Sequence, residues 1–151
     1  MGATHFSGPV IAGDLQQGET NGPNQGNVIL SQSTSITQNS TTAVSSTLYI
    51  PAGSRIIGFN VDVLTAFNSA TSATLSVGLT AGGTDYVSGV NVKAATGRIA
   101  ATYTAAQLAA MNGVTTTGTA APTTAPVVVT VTPSGATSAG YVVVTMLYVQ
   151  Q

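Results

Sequence analysis

Between Arg55 and Phe67 the chain alternates with a period of two, and this feature restricts its fold more than any other. Ile57, Phe59, Val61, Val63 and Phe67 fall on one face of an extended segment, and Gly58, Asn60 and Asp62 on the other. A helix would scatter these residues around its circumference, so the pattern predicts a half-buried strand. Pro51-Ala52-Gly53 reads as the turn before it, with proline presetting φ and glycine supplying a positive φ. The alternation returns at Ala73, Leu75, Val77 and Leu79, set against Thr74, Ser76, Gly78 and Thr80. A turn over 81–85 follows. Tyr86, Val90 and Val92 then alternate with Gly89, Asn91 and Lys93, and Ile99, Ala101 and Tyr103 with Arg98, Ala100 and Thr102. Val28 to Ile36, Val44 to Ile50, Val127 to Thr132 and Tyr141 to Val149 complete a set of about eight strands, the spacing of an all-β chain.

The last strand is apolar on both faces. Tyr141, Val143, Leu147 and Val149 lie on one, and Val142, Val144, Met146 and Tyr148 on the other. A strand apolar on two sides is either central under a cover or packed on another subunit. The expectation here is a homo-oligomer, a trimer, with Tyr141, Val142, Val144, Met146 and Tyr148 at the contact. One short helix is expected after Thr104, which N-caps it. Gln107 completes a capping box, and Tyr103 and Leu108 occupy the staple positions. Ala105, Ala106, Ala109 and Ala110 favour the helix, Gly113 ends it, and Leu108 and Met111 are expected to dock on the sheet.

Residues 1–27 are punctuated by Gly2, Gly8, Gly13, Gly18, Gly22 and Gly26, with Pro9 and Pro23 among them, and no strand or helix period survives. Two readings stand: a disordered leader, or an arm that orders on a partner through Phe6, Val10, Ile11 and Leu15. The domain division is therefore an extended N-terminal arm, 1–27, and a β-sandwich domain, 28–151. MGATHFSGPVIAG has neither a basic n-region nor a continuous apolar stretch, so the chain is expected to be made in the cytoplasm.

Charged residues make up only 5% of the 151, where roughly 25% is usual. Three cations cannot form the basic surface that binds nucleic acid or an anionic membrane. Cysteine is absent, which excludes disulfides and thiolate metal sites. The single histidine, His5, lies in the glycine-rich segment, where it is read as a polar neighbour of Phe6. Of the carboxylates Asp14, Glu19, Asp62 and Asp85, the last two could make a glycosidase pair only if the fold brought them together. The expectation is no enzyme, no cofactor and no metal. Tyr49, Tyr86, Tyr103, Tyr141 and Tyr148 could offer a sugar platform, but most lie at positions that read as core.

Two stretches carry a resemblance. THFSGPV, Thr4 to Val10, resembles the N-termini of small structural proteins of tailed bacteriophages. IPAGSRIIGFNVDVLTAFNSATSATLSVGL, Ile50 to Leu79, is similar to the same group's pattern of Pro-Ala-Gly turn, long strand, Thr-Ala-Phe-Asn bend and Thr-Leu-Ser-Val-Gly strand. The resemblance implies a capsid decoration, or cement, protein with an antiparallel, jelly-roll-like sandwich body and no catalytic residues. Its expected partners are the major capsid protein and further copies of itself, on the outer surface of the virion. The alternative is a head-fibre or tail-associated module that binds a receptor or carbohydrate.

Overall fold

A computed structural model describes residues 28–113 and 124–150. The eight strands and the helix are β1 (Ile29–Thr37), β2 (Val44–Ile50), β3 (Ser54–Thr65), β4 (Ser72–Gly78), β5 (Val87–Asn91), β6 (Gly97–Ala100), α1 (Ala105–Gly113), β7 (Ala125–Ser134) and β8 (Tyr141–Gln150). They form two four-stranded sheets, ordered β1-β8-β3-β6 and β2-β7-β4-β5, with every pairing antiparallel. The pairs β1–β8, β2–β7, β3–β6 and β4–β5 are the rungs of one long double ribbon with its tip between β4 and β5. Rolling that ribbon brings β8 against β3 and β7 against β4, which closes the sandwich. This is the jelly roll. The expected all-β sandwich is the observed fold.

The core lies between the sheets, where the inward residues of each strand interlock. Val61, Val63, Val142, Val144 and Met146 from one sheet meet Leu75, Val77, Val127, Val129 and Val131 from the other. The β1/β2 margin is the polar side of this core. There the Thr34 and Ser46 hydroxyls join the two sheets directly.

The face assignments depart from expectation in four places. First, a β-bulge between Ile56 and Gly58 reverses the alternation, so Ile56 turns inward and Ile57 is exposed. Second, β4 ends at Gly78, and Leu79 is exposed rather than continuing the buried row. Third, α1 buries Gln107 and Met111 and leaves Leu108 47% exposed. The capping box itself is formed: Thr104 N–H donates to Gln107 Oε1 at 2.9 Å, and Gln107 N–H donates to Thr104 Oγ1 at 3.2 Å. Gln107 Nε2 also donates to Thr84 O at 2.9 Å, so the cap residue faces the body and rotates Leu108 away.

Fourth, β8 turns one of its two apolar faces into its own core. Val142, Val144, Met146 and Tyr148 are buried in the core of their own chain and are not available to a second copy. β8 is central in its sheet, between β1 and β3, and the opposing sheet covers this face. On its outward face Tyr141, Val143 and Leu147 are half-buried and Val149 is buried.

The rolled ribbon has two distinct ends. The apical end carries the connections 38–43, 66–71, 92–96 and 135–140. The basal end carries the start of β1, the turn 51–53, the loop 79–86, helix α1 and the end of β8.

Candidate interaction surface

Hydrogen-bonding hydroxyls dominate the outer sheet faces. Ser33 bonds Thr145 at 2.8 Å on one sheet, and Ser45 bonds Thr130 at 2.9 Å on the other. The loop after β4 folds back over the second face. Gly83 N–H donates to Thr80 O, and Gly82 has φ 75°, the glycine-favouring position of a type II turn. Gly82 N–H then donates to Thr130 Oγ1 at 2.8 Å. A Cβ at Gly78 would lie 2.5 Å from the Gly83 carbonyl carbon, so glycine is what lets the loop lie flat. The loop buries Thr130 and Val128 although both point outward.

The two weighed carboxylates stand on opposite outer faces of the sandwich. Asp62 on β3 accepts a bidentate pair from Arg98 on β6, at 2.7 Å from Nε and 2.9 Å from Nη2. That hydrogen bond, ahead of Arg98's charge, holds the Asp62 carboxyl below its usual value and raises the guanidinium. Asp85 lies over β4 and accepts the Leu79 N–H at 2.9 Å. The arrangement gives each of these two carboxylates a structural partner and keeps Asp62 and Asp85 from facing one another as an acid–base pair. Among the described residues no three His, Cys, Asp or Glu side chains stand together. His5 and the proposed arm anchors Phe6, Val10, Ile11 and Leu15 lie outside the described residues. No helix among the described residues is long and apolar enough to cross a membrane.

The tyrosines do not make a platform. Tyr86 and Tyr148 are buried, and burial ahead of the neighbouring Asp85 charge pushes the Tyr86 phenol up. Tyr103 Oη accepts the Phe59 N–H at 3.0 Å, beside the bulge, where β6 no longer pairs with β3. Tyr141 is half-buried, which leaves Tyr49 as the widely exposed aromatic of the five.

The apolar residues left in solvent are concentrated at the basal end. In the first sheet Ile29, 60% exposed, opposes Val149, which opposes Arg55. Leu30 stands in the next row, across Tyr148 from Ile56, and Ile57 follows on the bulge. In the second sheet Tyr49, 56% exposed, opposes Pro126, and Leu79 succeeds Gly78 one row up. Leu108 joins them from α1. Arg55 and Asp85 are the charged residues at this end among those described, and Arg55 Nε is buried without a hydrogen-bond partner there. Sequence reasoning missed this surface, because it placed Ile57, Leu79 and Leu108 in the core.

The apical end is closed by its own chain. Phe67 is buried there and Gly140 backs onto its ring, where an added Cβ would come within 2.3 Å. Asn68 Oδ1 accepts the N–H groups of Ser138 and Ala139 at 2.9 and 3.0 Å, and its Nδ2 donates to Ser138 Oγ. Lys93 Nζ donates to Ala70 O at 3.0 Å, and buried Gln38 donates to Thr42 O. Leu64 is the exposed large apolar residue on this side.

No family model matches the chain, and no curated protein or solved structure matches it either.

Proposed function

We propose that this chain is a virion structural protein, a decoration protein seated on the outside of a phage capsid where it bridges neighbouring major capsid subunits. The observation that carries the reading is the body itself: a jelly roll with hydroxyl-lined faces and very little charge, left apolar at the end where residues 1–27 join it. Jelly rolls serve in viral shells and in lectins, so the fold favours the class by analogy and the surface chemistry narrows it. Its work is mechanical. Each copy adds buried area that must be broken before the shell ruptures, and many symmetric copies act together through avidity. Copies are proposed to sit as trimers at the three-fold positions. The face of β8 open to such a contact is the outward one, with Tyr141, Val143 and Leu147.

Cryo-electron microscopy of shells incubated with the purified protein tests this. The expected result is density on the outer surface with a copy number that matches the capsid subunits. A few copies at one vertex or on the tail would support the head-fibre or receptor-binding alternative instead. Association by apolar burial also predicts that occupancy hardly changes between low and moderate salt, because screening acts on charges. A steep fall across that range would show an ionic interface.

A further inference from the structure

We infer that the basal end is the seat of the body on its partner, and that the apical loops point away. The partner surface is an apolar, weakly charged protein surface; on the decoration reading, on which this inference rests, it is the outer face of the shell.

Three observations converge on this end. Tyr49 and Ile29 come from two strands, Leu79 from the 79–86 loop and Leu108 from the helix, yet the strand register and the helix position gather them at one end of the roll. Monomers seldom leave such a concentration of large apolar side chains in water without a use for it. Among the described residues the end is also nearly neutral, with Arg55 set against Asp85, which selects a partner by shape and burial rather than by charge. Finally, 27 residues lead into Val28 at this same end and carry Phe6, Val10, Ile11 and Leu15. An extended chain reaches about 3.3–3.6 Å per residue, so a body seated basally would place those anchors along the same partner surface. An apically seated body would start them a full strand length away. Tethering two weak contacts on one surface makes the second effectively intramolecular.

The test compares the full-length protein with Tyr49→Ser/Leu79→Ser, and with Leu64→Ser as the apical control, for occupancy on shells. All three are first checked to melt alike, since the substituted side chains are exposed. The basal variant is expected to lose occupancy at least tenfold while the control decorates as the parent does, and reconstructions should show the basal end facing the shell. A basal variant that decorates normally overturns this inference and leaves the decoration reading standing. A parent protein that does not bind shells removes the decoration reading and this inference with it. Sedimentation provides the remaining arm: concentration-dependent self-association abolished by Tyr49→Ser/Leu79→Ser would make a second copy the occupant and overturn the proposal.

Discussion

At the apical end the chain buries Phe67 under Gly140 and ties its loops together through the Asn68 and Lys93 side chains and the Gln38 N–H, which donates to Gly140 O. At the basal end Ile29, Tyr49, Leu79 and Leu108 remain in solvent. Both ends face the same problem, because two sheets cover each other's inner faces but leave the ends of the core open. The apical loops solve it with one aromatic plug and side-chain bonds to backbone. At the basal end α1 and the 79–86 loop cover the core, and they leave apolar groups on the outside. The lesson is a division of labour: substitutions at the apical end should be read in folding, and substitutions at the basal apolar groups in association.

The sharpest way to break this comparison is Phe67→Ala, which should cost about 4 kcal/mol in urea unfolding, the usual range for deleting a fully buried ring. A loss under about 1 kcal/mol would mean that the loops collapse onto the core without the plug. Gly140→Ala should cost about 3 kcal/mol, because the new methyl can be housed only by moving the Phe67 ring or the β7–β8 connection. Gln107→Ala probes the basal cover and should cost about 1–2 kcal/mol, since it removes one half of the capping box and the bond to Thr84 O together. The same end has an alkaline signature. The Tyr86 phenol has a raised folded-state pKa, so its contribution is complete below the unfolded value near 10 and is lost as pH rises through the folded value. Melting temperature should therefore fall faster above that pH in the parent than in Tyr86→Phe. The smallest effect is expected from Tyr49→Ser/Leu79→Ser, within about 0.5 kcal/mol of the parent for each exposed substitution. A larger loss would mean that these side chains already support the fold.

Much of the body was legible in the sequence because its strands obey a period of two. The alternation at Ala73, Leu75 and Val77, the Pro51-Ala52-Gly53 turn and the Thr104/Gln107 capping box all form as the residues dictate. What alternation cannot show is an extra residue in a strand. The bulge at Ile57 leaves the sequence looking regular and moves every residue before it to the other face. Position within a sheet was equally hidden. The two apolar faces of β8 invited a second subunit, whereas the strand is central and its Val142, Val144, Met146 and Tyr148 face their own core. The basal surface was illegible for a related reason: Leu79 and Leu108 continue apolar periodicities, and only the end of β4 and the rotation imposed by Gln107 turn them outward. Strand patterning reports which residues share a face, and the fold alone decides whether that face is covered.

The register of β8 sets a timetable for the molecule. Residues 29–37 pair with residues 141–149, and the same strand is the neighbour of β3. Until β8 has left the ribosome, the first sheet has no middle and its first strand has nothing to pair with. Synthesis at about 5–20 residues per second holds β1 unpaired for many seconds. Pairing across so long a loop then places refolding of the body in the millisecond-to-second range typical of non-local β topologies, which stopped-flow fluorescence of the tyrosines can measure. A chain cut before Tyr141 should remain unfolded. Closure of the roll therefore waits for β8 and comes all at once: the basal surface comes into being only when that strand slides between the first and the third.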